Sequence, residues 1–166
     1  MILTRNIDVV FLSLNEIGVS YTPTQKDDAL IQDKGLICIW SVSSPTYPSK
    51  ILICESEITC ISYVPHYPHF ILGGTSDGTL QIWDLREVES KHKEVVRAVE
   101  GKPTVKIITR NPTYSSDWML NQNHYSAILQ IIPLGYNKSS AGDSGDVDQY
   151  QITTIDREGT VIYWSV

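Results

Sequence analysis

Residues 76–85, SDGTLQIWDL, decide the fold, because the same pattern returns twice without gaps: DKGLICIWSV at 33–42 and REGTVIYWSV at 157–166. Each stretch reads as a polar turn, a glycine, and then a run of β-branched and aromatic residues that favours an extended strand. In all three the glycine precedes a tryptophan by five positions, giving the pairs Gly35 and Trp40, Gly78 and Trp83, and Gly159 and Trp164. A glycine suits the tip of a tight hairpin, where positive φ is costly for any residue that carries a Cβ. Three matched hairpin-to-strand units make an internal repeat.

The tryptophans stand 43 and then 81 residues apart. These intervals are one and about two periods of a four-stranded repeat of roughly 40–45 residues. One complete blade is expected at 43–85, with strands at 50–55, 57–64, 70–74 and 79–85 separated by Pro65, Pro68 and the Asp77-Gly78 turn. Ahead of Gly35 the clear strand runs over 8–14, followed by a polar loop from Pro23 to Asp33, so residues 1–42 supply the C-terminal half of a blade. Residues 86–125 read as a linker or irregular extension, with a degenerate blade as the alternative. There Glu87 with Lys91, and Glu89 with Lys93, stand at helical spacing, and no regular strand is expected over 86–101. Strand signal returns at 105–109, 126–133 and 149–155, so 126–166 holds further blade strands around a mobile loop at 136–148 that has no apolar anchor. The expected fold is all-β, about two and a half four-stranded blades of a β-propeller. Closing such a ring takes about four to eight blades. The chain is therefore expected to be a fragment of a larger ring, a truncated gene product, or an element that completes a ring with other chains, and to aggregate or stay partly unfolded alone.

The charge balance removes several functions. Nineteen acidic against 13 basic side chains, with a net charge of −6, argue against a nucleic-acid binder that must displace counterions from phosphates. No apolar run approaches the ~20 residues of a membrane span, and the N-terminus lacks the pattern of a secretory signal. Cys38, Cys54 and Cys60 form an odd set, read as buried reduced thiols of a cytoplasmic chain. No cofactor or metal is expected. Cys54, Cys60, His66 and His69 lack the closely spaced ligand pairs of structural zinc, and Asp143, Asp146 and Asp148 lack calcium-loop spacing. The GGTSDG turn at 73–78 lacks the lysine and helix of a phosphate cradle, and no nucleophile elbow occurs.

The endings IWSV, IWDL and YWSV, with Trp83-Asp84 as the literal dipeptide, resemble WD-repeat propellers over most of the chain. Residues 53–87, ICESEITCISYVPHYPHFILGGTSDGTLQIWDLRE, are similar to the corresponding blade of dynein intermediate chains. Within it ICESEITC and LREVES, and then PTYSSDWMLNQNHYSAILQIIPLG at 112–135, look most like the intermediate chain of the ciliary, intraflagellar-transport dynein. The resemblance implies a non-catalytic scaffold of the cytoplasm, cytoskeleton and cilium. Its implied partners are a dynein heavy-chain tail, other dynein subunits and the remaining propeller blades. Of the His, Ser/Thr, Asp and Trp network that braces a family blade, only Thr75, Asp77 and Trp83 match. Glu57 stands near the His place, and Lys34 and Glu158 take the place of Asp77, so packing is expected to hold these blades.

The repeat tryptophans are expected to fill the space between sheets. Trp118, outside the repeat register, and the loop residues Tyr47, His66, Tyr67 and Arg86 are the candidate partner contacts, because loops carry most binding on such scaffolds. The rivals are another WD-repeat adaptor, such as an axonemal dynein chain or a ubiquitin-ligase receptor, and a propeller enzyme. The enzyme needs an acidic or metal-lined central channel that residues 58–62 and 127–132 do not supply.

Overall fold

The computed structural model describes residues 3–11, 15–23, 35–65, 67–88, 91–97, 105–119, 122–137 and 149–165. Among them lie thirteen strands and no α-helix: β1 (Leu3–Phe11), β2 (Glu16–Pro23), β3 (Gly35–Ser41), β4 (Lys50–Cys54), β5 (Ile58–Val64), β6 (Tyr67–Thr75), β7 (Leu80–Asp84), β8 (Lys93–Arg97), β9 (Val105–Arg110), β10 (Tyr114–Ser115), β11 (Ile128–Asn137), β12 (Gln149–Asp156) and β13 (Val161–Ser165). They form a first sheet of order β1-β2-β3-β4-β9-β8, a middle sheet β10-β7-β6-β5 and a third sheet β11-β12-β13. The chain is all-β, with sheets stacked as propeller blades.

Stacking explains the apolar runs. A sheet packed on both faces reads as continuously hydrophobic, where one with a wet face alternates. In β7 the residues Leu80 to Trp83 are all buried. Leu80 and Ile82 pack with Cys60, Leu72, Ile128, Ile152 and Trp164 toward the third sheet. Trp83 turns the other way, toward Ile37, Ile39, Leu52 and Ile58. In β3 the two-residue strand period gives Ile37 and Ile39 to that shared core and sets Leu36 and Cys38 on the far face, with Ile51 and Trp40. Trp164 and Trp83 thus each face the preceding sheet, and Trp40 faces the corresponding side of the first.

The strands β1, β5 and β11, each an edge of its sheet, meet side by side. Asp8 Oδ2 accepts the Ile61 N–H at 2.8 Å, and the Thr59 hydroxyl donates to the Ile128 carbonyl at 2.5 Å. Gly74 permits this approach, since a Cβ there would stand 2.7 Å from both Cys60 Sγ and Ile128 Cγ2.

Several expectations need correction. Strand β2 had no counterpart in the sequence reading. Its buried positions are Gly18 and Ser20, which give no apolar signal, and Ser20 holds β1 by accepting the Asp8 N–H at 2.9 Å. The strand at 50–54 pairs with β3 in the first sheet, so the blade drawn at 43–85 is offset by one strand, and the outer strand of the middle sheet is β10. Among the described residues of 86–125, a strand stands at 93–97 where no regular strand was expected. Strands β8 and β9 form a hairpin that extends the first sheet through a parallel pairing of β9 with β4. Lys91 does reach Glu87 at 3.7 Å. Gly35 lacks the positive φ found at Gly78 and Gly159; a Cβ there would lie 2.2 Å from the Ser56 carbonyl oxygen. Residues 24–34 and 138–148, which include most of both expected loops, lie outside the described residues.

Candidate functional site

The third sheet carries a chain of four buried hydrogen-bonding side chains. Trp164 Nε1–H donates to Thr154 Oγ1 at 2.8 Å, His124 Nε2 meets the same hydroxyl at 2.6 Å, and His124 Nδ1 meets Asp156 Oδ2 at 3.0 Å. An ionised carboxylate only accepts, so Nδ1 carries the ring proton, and the Thr154 hydroxyl donates to Nε2. Burial alone would raise the Asp156 pKa. The Thr160 N–H, the His124 ring and the Glu158 N–H outweigh it and hold the carboxyl below the ordinary range.

This network adds buried hydrogen bonds to the packing expected to hold the blades, and of its residues only Trp164 was singled out in the sequence. Asp156 lies eight residues before Trp164, where Asp77 lies six before Trp83. Because Ile71 pairs with Trp83 as Ile152 does with Trp164, the two hairpins share one register, and Asp156 stands in the place of Thr75, not of Asp77.

The middle sheet is braced differently. The pairings Ile71 with Trp83 and Ile152 with Trp164 place Gly73 where the third sheet has Thr154. With no hydroxyl there, Trp83 lies against Gly73 and its N–H donates to the Arg110 carbonyl on β9 at 3.2 Å. Trp83 is therefore not joined to Thr75 and Asp77 as expected. Those two tie the β6–β7 hairpin tip: Asp77 Oδ1 accepts the Thr75 and Thr79 hydroxyls at 2.5 and 3.0 Å, and Oδ2 accepts the Ser56 hydroxyl. Burial pushes the Asp77 carboxyl up, but the hydroxyls of Ser56, Thr75 and Thr79 together hold it below its usual value.

Both carboxyls thus have depressed folded pKa values. Their stabilisation is present above the unfolded value of about 4 and is lost as pH falls through the folded value. These two carboxyls should make thermal midpoints fall as pH drops below about 4. His124→Ala should lower the midpoint at pH 7 and shallow that acid slope, because Asp156 loses one of the bonds that depress it. An acid slope identical to the parent's would refute the pairing.

The candidate contacts divide between opposite ends of the middle sheet. At one end Tyr67 stands edge-on to His69 with centroids 5.8 Å apart, and His69 lies 4.6 Å from Phe70. Arg86 sits 5.1 Å over the Phe70 ring and pairs with Asp84 at 2.8 Å. Tyr67 and Arg86 therefore share one patch, to which the structure adds His69 and Phe70. His66 lies outside the described residues.

At the other end Trp118 is 65% exposed and edge-on to Tyr114 at 6.4 Å. The loop beneath it is anchored, because Asn123 Nδ2 donates to the Ser116 carbonyl at 2.6 Å and the Met119 N–H does so at 3.0 Å. Tyr125, 85% exposed, follows on the same segment. Tyr47 is exposed in the turn between β3 and β4 of the first sheet.

Cys38, Cys54 and Cys60 are buried and free, and burial pushes each thiol up to about 12. None is a ready nucleophile or ligand at neutral pH. Among the described residues no three His, Cys, Asp or Glu side chains converge as a metal site.

A family model for the dynein axonemal intermediate chain 3 WD40 domain matches residues 12–131. Cytoplasmic dynein 2 intermediate chain 1 of Homo sapiens is 29% identical over 161 residues, covering 90% of this chain and 15% of the relative. The Mus musculus counterpart is 31% identical over the same length, covering 90% and 16%. Dynein axonemal intermediate chain 4 of Danio rerio is 22% identical over 132 residues, 80% of this chain and 14% of the relative. The chain thus spans only about 15% of the length of these relatives.

Proposed function

Because this chain belongs to the dynein intermediate-chain WD40 family, we propose that it is a non-catalytic assembly scaffold whose sheets hold the tail of a dynein heavy chain, in the motor of intraflagellar transport. The observation that carries this reading is the likeness to cytoplasmic dynein 2 intermediate chain 1 across 90% of the chain. The surface chemistry supports it. Large aromatics stand exposed on anchored loops, the arrangement that makes interface anchors, while the thiols are buried and protonated. Its place would be the cilium and its cytoskeleton, alongside other dynein subunits.

The third sheet also presents Ile132, Leu134, Val161 and Tyr163, which are 44–72% exposed. An apolar sheet face of this kind is a seat for a further blade of the same ring. The match to an axonemal family model favours axonemal assembly as the second reading.

Trp118→Ala and Arg86→Ala in the full-length protein test the scaffold role. If Trp118 is an anchor, its truncation should weaken heavy-chain binding about 30-fold. The Arg86 variant should reduce recovery at the opposite end. Unchanged co-purification would remove both residues from the interface. Running the assay against purified transport and axonemal heavy chains separates the two readings.

A further inference from the structure

A cleft of about 280 Å³ opens beside the β6–β7 hairpin tip, between the first and middle sheets, lined by Ser56, Asp77, Thr79, Gln81, Ser115 and Asp117 among others. Gln81 is only 5% exposed. Its Nε2–H donates to Thr79 Oγ1 at 3.0 Å, and that orientation is set by its neighbour: the Thr79 hydroxyl proton goes to Asp77 Oδ1 at 3.0 Å, so the Thr79 oxygen accepts. Gln81 Oε1 is left buried and without a hydrogen-bond partner. An orphaned buried carbonyl is costly, and its presence in a cleft marks a place for an incoming donor.

The lining narrows that donor. Its charged side chains are acidic, with no Lys or Arg among them, so phosphates and other anions are repelled. The volume falls below the roughly 300–1,000 Å³ of small-molecule pockets, which suits one long side chain. An ammonium ion is a point charge. A guanidinium has five N–H donors in a planar fork and no acceptor, so it can meet a carboxylate at the rim and a carbonyl in the interior together. We propose that this cleft receives the arginine side chain of a partner polypeptide, with Gln81 Oε1 and the Asp77 and Asp117 carboxylates as its acceptors. Asp117 is the chain neighbour of Trp118, so the cleft adjoins the exposed indole. The inference does not depend on which motor the chain serves, and its failure would leave that reading standing.

The test is titration of the full chain with N-acetyl-arginine amide, read from ¹⁵N–¹H signals of the Gln81 side-chain amide. Arginine should shift these signals saturably. N-acetyl-citrulline amide, similar in shape but uncharged, should bind about tenfold more weakly. Gln81→Leu, followed by the backbone signals of residues 77–81, and Asp117→Asn should each weaken arginine about tenfold. Asp117 is exposed, so its variant keeps the fold even if the Gln81 variant does not. No saturable shift, equal binding of citrulline, or full affinity in Asp117→Asn would overturn the proposal.

Discussion

Trp83→Ala should lower the unfolding free energy by about 3–5 kcal/mol, among the largest losses any single substitution in this chain can produce. The indole is 1% exposed and packs in a core with Ile37, Ile39, Leu52, Ile58 and Ile71, so its removal opens a cavity between the first and middle sheets. The site is poorly able to collapse. Beneath the ring lies Gly73, which has no side chain to move inward. The substitution also leaves the Arg110 carbonyl without its donor, and the Arg110 side chain caps the Leu85 and Glu87 carbonyls at 3.2 Å. The β8–β9 hairpin should therefore loosen too. Urea unfolding gives the energy, and hydrogen exchange at Glu94 and Val96, paired with β9, reports the hairpin. Trp83→Phe should cost about 1–3 kcal/mol, since most of the volume stays and one buried acceptor is orphaned. A loss under about 1 kcal/mol for Trp83→Ala would mean that the two sheets do not share this core.

The repeat was legible where side chains and turn glycines carry it. Gly78 and Gly159 do adopt positive φ, and Trp83 and Trp164 do fill inter-sheet space. What stayed hidden depends on partners far apart in the chain. Strand pairing is one case: Lys50–Cys54 reads as a strand either way, and only its hydrogen bonds to Gly35–Ile39 assign it to the first sheet. Strand β8 is another, because KEVVR follows a run of charge pairs that imitates a helix and becomes a strand through pairing with Val105–Thr109. The His124 network combines both difficulties. His124 lies 32 residues from Asp156, and that carboxylate comes from the place that Thr75 fills in the middle hairpin. For the candidate site, exposure of Trp118 followed from its place outside the repeat. The cleft at Gln81 had no sequence signal, since glutamine on a strand gives no hint that its carbonyl is left unpaired.

Gly78 and Gly159 hold the same place in the repeat and almost the same backbone, with φ of 87° and 85°, yet alanine at the two should not cost the same. Left-handed backbone with a Cβ costs about 1–2 kcal/mol at either position. At Gly159 that is the whole effect, because nothing lies within 4 Å of the added carbon. At Gly78 the carbon would stand 2.4 Å from the His124 carbonyl oxygen and 2.8 Å from its carbonyl carbon. These are backbone atoms and cannot rotate aside. The clash is relieved only by shifting the hairpin tip or His124, whose ring is held by Thr154 and Asp156 at 2.6 and 3.0 Å. Gly78→Ala should therefore lose about 3 kcal/mol or more, strain plus disruption of a network in the neighbouring sheet. A double-mutant cycle checks the coupling: in a His124→Ala background, which weakens the network, Gly78→Ala should cost less than in the parent, while Gly159→Ala should differ little. Equal losses at the two glycines would show that the middle hairpin does not press on the segment that braces the third sheet.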